Sequence, residues 1–96
     1  MDAELIVHEK FVYEDGAIVE IKAWQISRSK LRPEGYKYSL VYIDPDGNRV
    51  IGYDNSKQQG HHKHIRDMQT PIVFESIEKL LQGFLSEVRI LRGDKP

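Results

Sequence analysis

The sequence predicts a single small α+β domain, in which an antiparallel β-meander of about five strands packs against one long C-terminal helix. Two observations predict this class. Short segments of apolar and polar residues separated by Asp-Gly turns fill the first part of the chain, whereas residues 77–91 carry apolar side chains at helical spacing. The length of 96 residues allows one modest core and not two, so we treat residues 1–96 as one domain.

The first two predicted strands form a hairpin. Residues 4–13 are rich in β-branched and aromatic types, and they run into Asp15-Gly16, a strong hairpin signal. In the second strand, residues 17–26, apolar and charged residues alternate as they do in a sheet with one face in the core. Trp24 interrupts this alternation on the polar face, where we expect it to serve as a core or interface residue.

The next two predicted strands form a second hairpin. Residues 36–43 read as the third strand, and the Pro and Gly of residues 44–47 suit a tight turn into a fourth strand over residues 48–53. The tyrosines that alternate on the third strand could stack on nucleobases, but packing at the rim of the core is the more frequent role of such residues. Lys37 and Ser39 are expected to point to the opposite face.

The C-terminal part combines a polar segment with a helix. Residues 54–69 show no apolar periodicity and are interpreted as a functional loop with a short extended piece, followed by a short fifth strand over residues 71–74. Glu75 or Ser76 opens the amphipathic helix, and Gly93 ends it. The apolar stripe of the helix needs a partner surface, and the core face of the sheet provides one.

Composition narrows the class of protein. The apolar fraction of 40% and the charged fraction of 30% are near globular averages, and no apolar run approaches the length of a membrane span. The acidic N-terminus, Met1-Asp2-Ala3-Glu4, is unlike a secretory signal, so we expect a cytoplasmic protein that does not contact a membrane. Because the chain has no cysteine, any metal would need His, Asp or Glu ligands.

The net charge of −1 hides an uneven distribution. Residues 27–37 and 55–66 together hold seven Lys and Arg against one acid, a net of +6 that leaves −7 for the remainder of the chain. Basic loops on an acidic body are typical of a surface that binds an anion such as RNA, although solvated loops with no partner would show the same pattern.

Three of the four histidines lie within residues 61–64. In an extended segment the rings of His62 and His64 would lie on one side, roughly 6 to 7 Å apart, which leaves room for a phosphate. One imidazole could take a proton from a ribose 2′-hydroxyl while the other donates to the leaving 5′-oxygen. A lysine, Lys57 or Lys63, would offset the charge that develops on the phosphate. This chemistry cleaves RNA without a metal or other cofactor.

Other roles for the same residues stay open. His-x-His spacing also suits two ligands to zinc or another divalent ion, with Asp54 as a carboxylate third, which would make the protein a metal-dependent phosphodiesterase or other hydrolase. A non-catalytic module that docks nucleic acid or protein through its basic loops is a further alternative. An inert polar loop is the least informative one.

Several motifs resemble the TumE family of toxins from prokaryotic toxin–antitoxin systems. They occur in the same order along nearly the whole chain: Ala3 to Glu9, Asp15-Gly16 before a Trp-bearing strand, Tyr36-Lys37-Tyr38-Ser39-Leu40, Tyr53-Asp54-Asn55, Gly60-x-His62-x-His64, and Phe74 before the amphipathic helix. The chain departs from the family pattern at His61, where we expect an acidic residue, and at Gln59, where we expect a lysine.

The resemblance implies a small intracellular toxin whose protein partner is a cognate antitoxin, TumA in the family. Combined with the histidine chemistry, it leads to the hypothesis of an RNA-cleaving toxin in which His62 and His64 form the acid–base pair and Asp54 orients one ring. The residues expected to bind RNA or hold phosphate are Lys57, Lys63, Arg66, Lys37, Tyr38 and Asn55. A homodimer could form if an exposed sheet edge pairs between two copies.

Overall fold

The chain forms one antiparallel sheet and one helix. The computed structural model describes residues 3–30, 33–55 and 60–93. Within them the sheet has six strands in the order β1 to β6, and each strand pairs with its neighbours in the sequence. The elements are β1 (Glu4–Val12), β2 (Ile18–Gln25), β3 (Tyr36–Ile43), β4 (Arg49–Asp54), β5 (His62–Ile65), β6 (Met68–Pro71) and α1 (Ile77–Arg92). The predicted α+β class is confirmed, with six strands instead of about five.

Both predicted Asp-Gly turns are present. In the first, the Asp15 carboxylate accepts a hydrogen bond from the Ala17 backbone N–H at 3.0 Å, and Gly16 has a φ of 93°. In the second, the Asp44 carboxylate accepts from the backbone N–H groups of Asp46 and Asn48, at 3.0 and 2.9 Å. In both turns an aspartate carboxylate satisfies backbone donors that face no strand, which is why these sequences encode turns.

The segment interpreted as a loop contains the last hairpin of the sheet. Strand β5 pairs with β4, β6 pairs with β5, and the turn between them holds Arg66 at a φ of 55°. The short fifth strand predicted over residues 71–74 is wrong, because β6 ends at Pro71 and residues 72–76 form no strand. Proline suits the end of an edge strand, since it has no backbone N–H to donate.

Helix α1 begins and ends where the sequence predicts. The Ser76 side chain accepts a hydrogen bond from the Lys79 backbone N–H at 3.1 Å, and Gly93 adopts the left-handed conformation with a φ of 75°. The Gly93 N–H donates to backbone carbonyls of the last turn, which would otherwise be unpaired. Within the described ranges no helix is both long enough and apolar enough to cross a membrane.

The core lies between α1 and one face of the sheet. Phe84 of the helix packs edge-on against Tyr53 of β4, with ring centroids 5.4 Å apart. At the end of the helix, Arg92 donates to the Tyr42 hydroxyl at 3.0 Å. The face of the sheet that packs against α1 is called the covered face. The helix leaves the opposite face of the sheet, called the open face below, without a second layer from the described residues.

Candidate functional site

The open face carries a row of polar side chains that crosses four strands. Lys22 of β2 pairs in register with Ser39 of β3. Ser39 pairs with Asp54 of β4, which in turn pairs with His62 of β5. Because every second side chain of a strand points to the same face, His64 lies on the open face with His62. The strand pairing therefore brings together the three residues predicted to be catalytic.

Contacts to both ring nitrogens hold His62 in place. Its Nδ1–H donates to the Gly60 backbone carbonyl at 3.0 Å, and its Nε2 lies 3.3 Å from Asp54 Oδ1. The residue is only 4% exposed, so water does not compete strongly for these contacts. The ring centroids of His62 and His64 are 5.0 Å apart, with the ring planes at 82°. The two imidazoles thus meet at one pocket, somewhat closer together than an ideal extended segment predicts.

The same three side chains have the composition of a metal site. Asp54, His62 and His64 each offer one ligand atom, and these atoms lie within 4.8 Å of one another. Two imidazoles and a carboxylate suit zinc and related divalent ions. The bond from His62 Nδ1–H to the Gly60 carbonyl leaves Nε2 as the nitrogen that would bind metal, and such outer-shell bonds commonly orient ligating histidines. The residues therefore fit a divalent cation as well as they fit acid–base chemistry.

The pocket that contains the histidines has more positive than negative side chains. The pocket has a volume of about 560 Å³, and its lining includes the cations Lys22, Lys37 and Arg49 but one carboxylate, Asp54. A cleft with more cations than anions attracts anionic ligands, and this volume is within the range of small-ligand sites. Of the three cations, only Lys37 was predicted from the sequence to belong to the site.

Arg49 reaches the pocket because of a β-bulge. Strict alternation would place Arg49 on the covered face with Ile51, but the register shifts between Tyr42 and Ile43, so that Ile43 pairs with Arg49 and Val50 is an extra residue. Glycine at position 52 then leaves room for the side chain. A Cβ atom on Gly52 would lie 3.6 Å from Arg49 Nε, in van der Waals contact, so the guanidinium lies directly over this glycine.

Two of the predicted phosphate-binding cations do not line the pocket. Lys63 lies between His62 and His64 in the sequence, so its side chain points to the covered face, where Nζ lies 3.2 Å from a Glu87 carboxylate oxygen. Burial raises the pKa of Glu87. Arg66 lies at the tip of the β5–β6 hairpin. Lys57, the third predicted cation, lies outside the described residues.

Tyr38 and Asn55 were expected to contact RNA, but their side chains have structural partners. The Tyr38 side chain is 1% exposed on the covered face, and only part of the residue borders the pocket. Asn55 is 2% exposed. Its carbonyl oxygen accepts from the Tyr38 backbone N–H at 3.1 Å, and its amide donates to the Tyr36 carbonyl at 2.7 Å and to Glu34 at 2.9 Å. Asn55 therefore ties the end of β4 to β3.

A hydrogen-bond network beneath the pocket holds the segment that leads into β5. The Tyr38 hydroxyl donates to His61 Nδ1 at 2.7 Å, and His61 Nε2 lies 3.3 Å from a Glu34 carboxylate oxygen. Burial, aided by the nearby carboxylates of Glu34 and Asp54, raises the pKa of Tyr38 well above its ordinary value, so the hydroxyl stays a donor. The His61 ring also stacks on Phe74, with centroids 4.8 Å apart. His61 has no part in the pocket, but its contacts fix the backbone next to His62.

A comparison with protein families identifies the relationship of the chain to known proteins. The family model described as Toxin TumE matches residues 2–92. The chain belongs to the TumE toxin family. Its role is therefore that of a toxin, and membership in such a family implies an antitoxin as protein partner. No curated protein and no solved structure matches the chain.

Five residues of this TumE protein's pocket were not assigned to the site from the sequence: Lys22, Trp24, Ser39, Arg49 and Gln69. The period-2 pattern of β2 was a usable signal for the first two, because Lys22 and Trp24 share the polar face of that strand. The position of Arg49 depends on the β-bulge at Val50, which no residue pattern in the sequence predicts.

Proposed function

We propose that this TumE toxin cleaves RNA in the open-face pocket, with His62 and His64 as the acid–base pair. The observation that supports the proposal most strongly is the approach of the two imidazoles, with centroids 5.0 Å apart, beside the three cationic residues that line the same cleft. Few groups are needed for this reaction, which suits a small domain with one open face.

In the proposed reaction one neutral imidazole takes the proton of a ribose 2′-hydroxyl, and the oxygen attacks the adjacent phosphorus. The bond to the 5′-oxygen breaks, and the other imidazole, in its protonated form, donates a proton to that oxygen. The products are a 2′,3′-cyclic phosphate and a 5′-hydroxyl, and the two imidazoles have exchanged protonation states. Asp54 accepts a hydrogen bond from His62 Nε2 whenever that nitrogen is protonated, and so orients the ring.

Arg49 is the main candidate for stabilising the charge on the phosphate. Its planar guanidinium can bind two phosphate oxygens at once, and it lies over Gly52, which pairs in register with His64. Lys37 and Lys22 would contribute positive charge farther along the same cleft. Such preorganised donors matter most where charge develops during the reaction.

A second candidate is metal-assisted hydrolysis at the same pocket. It is favoured by the close approach of ligand atoms from Asp54, His62 and His64, all within 4.8 Å of one another. A divalent ion held there would supply a bound hydroxide near neutral pH. Lys37 and Arg49 would hold the phosphate in this case too.

The test measures cleavage of a labelled single-stranded RNA of mixed sequence by purified toxin, His62→Gln and His64→Gln. We expect each variant to lose on the order of 10²- to 10⁴-fold in rate, since each removes one proton transfer. His8→Gln is the matched control, because His8 is an exposed histidine of the open face whose partner is Glu20 at 3.1 Å. Full activity in both pocket variants would contradict the proposal.

A chelator and the chemistry of the product ends separate the two candidates. Cleavage that persists in chelator and leaves 2′,3′-cyclic phosphates supports the acid–base pair. Cleavage that stops in chelator and returns on addition of zinc or manganese supports the metal. If the wild-type toxin binds the RNA without cutting it, the protein would instead be a non-catalytic binding module.

The partner and compartment are part of the same proposal. We place the toxin in the cytoplasm, with its cognate antitoxin as the protein that restrains it and RNA as its target. The homodimer stays a prediction: β1 lies at one edge of the described sheet, and its outward backbone groups could pair with a second copy. Co-expression with the antitoxin should relieve growth arrest, and sedimentation of the free toxin would measure its oligomeric state.

A further inference from the structure

We propose that Trp24, together with Lys37, forms a nucleobase-stacking subsite that binds single-stranded RNA beside the histidines. Trp24 lines the same pocket as His62 and His64. Its side chain is partly exposed on the open face, although tryptophan side chains are highly buried on average. The inference rests on the proposed function for the identity of the ligand, RNA. The contact it assigns, between Trp24 and a nucleobase, is separate from the contacts of the two histidines.

The surroundings of Trp24 suit a nucleotide. Lys37 pairs with it in register, and the Lys37 Nζ lies 5.6 Å from the centroid of the indole ring. Because the Lys37 ammonium lies over the indole, a base that stacks on this side would displace it, and the long flexible side chain would then reach a flanking phosphate. Combinations of aromatic faces and cations on an exposed sheet are how several RNA-binding domains hold unpaired bases.

The strand order sets the distance between this subsite and the histidines. Trp24 is on β2 and His62 is on β5, three strands away at about 4.8 Å per strand, so the two lie roughly 15 Å apart across the sheet. A base on Trp24 therefore belongs to a nucleotide that flanks the reacting phosphate. Between them run Ser39 and Asp54, two short polar side chains that leave the cleft open.

The geometry favours a single strand over a duplex. In a double helix the faces of the bases are stacked on one another, so only an unpaired nucleotide can offer a face to the indole. The cross-strand neighbours of Trp24, Leu5 on β1 and Lys37 on β3, leave the indole partly exposed.

The experiment uses the fluorescence of Trp24, which is the single tryptophan of the chain. Full-length toxin is titrated with a single-stranded oligothymidylate in chelator, since a strand without 2′-hydroxyls cannot undergo the proposed transfer. We expect the oligonucleotide to quench the emission, whereas inorganic polyphosphate, which has charge and no bases, should bind without quenching. Fluorescence anisotropy of a labelled oligonucleotide then gives the dissociation constants of the variants.

Trp24→Ala should weaken binding by about 5- to 100-fold, and Trp24→Phe should recover most of the loss because a smaller aromatic ring still stacks. Phe11→Ala is the control, because Phe11 is 58% exposed on β1 but lies on the covered-face side. Its binding should match the wild type.

The possible failures are distinguishable. An oligonucleotide that binds without quenching, or that binds Trp24→Ala as tightly as wild type, overturns the subsite and leaves the cleavage proposal intact. Equal quenching by polyphosphate, or no binding of the oligonucleotide, also overturns it. In the remaining outcome the oligonucleotide quenches Trp24 and binds Trp24→Ala more weakly, although the wild-type toxin never cleaves RNA. That result would support the subsite and overturn the cleavage proposal.

Discussion

The two faces of the sheet are built from the same strands but have different chemistry. On the covered face Leu40 and Tyr53 are 0% and 4% exposed beneath Phe84. One residue beyond Tyr53, Asp54 lies on the open face, where it pairs in register with His62 in a pocket that also contains cations. Since neighbouring side chains of a strand point in opposite directions, a single short segment can supply both the core and the pocket. We therefore expect folding stability to depend mainly on the covered face and activity to depend mainly on the open face.

The largest expected effect tests the covered face. Phe84→Ala removes a fully buried ring and should lower the free energy of unfolding by about 3–5 kcal/mol, because a cavity remains where the ring packed against Tyr53. Denaturant unfolding measures the loss. RNA cleavage per folded molecule should not change, and a large fall in that rate would mean that the two faces are not independent.

A pair of cations compares the faces directly. Arg49→Ala removes a guanidinium from the pocket and should lower the cleavage rate by about 100-fold, the typical cost of losing one donor to a developing negative charge. Lys63→Ala removes a cation of the covered face that pairs with Glu87, so the rate per folded molecule should stay within about twofold. Initial rates at saturating RNA distinguish the two. Equal losses of cleavage rate in the two variants would show that a cation contributes to the reaction from either face of the sheet.

A smaller effect is expected at the boundary between the faces. Asn55→Ala leaves the Tyr38 N–H and the Tyr36 carbonyl without their side-chain partner, which should cost about 1–3 kcal/mol of folding stability. Thermal unfolding measures the change. The affinity for RNA of the folded fraction should match the wild type. Weaker RNA binding with unchanged stability would instead return Asn55 to the role of an RNA contact.

The sequence predicted the first four strands, both Asp-Gly turns and the helix, because their signals are local. Alternation, turn chemistry and the cap at Ser76 each depend on a few adjacent residues. Strand β6 was missed, and β5 was predicted only as a short extended piece, because His62–Ile65 and Met68–Pro71 are short segments that show no apolar period. Strand β5 is held by pairing with β4, and β6 by pairing with β5, which no local pattern records.

The candidate site was predictable in part for the same reason. His62 and His64 could be placed on one face from their spacing in an extended segment, and the same alternation places Lys63 on the other face, so its assignment to the phosphate was an avoidable error. Arg49 could not be assigned, because the bulge at Val50 reverses its expected direction. His61 looked like a member of the histidine cluster, but its ring stacks on Phe74.

The absence of a second helix over the pocket, within the described chain, affects how such a toxin can diversify. Side chains such as Lys22, Trp24 and Lys37 are partly or fully exposed, so exchanging them costs little folding energy. Relatives could therefore acquire new targets by changing a few codons of one sheet face while keeping the same hydrophobic interior.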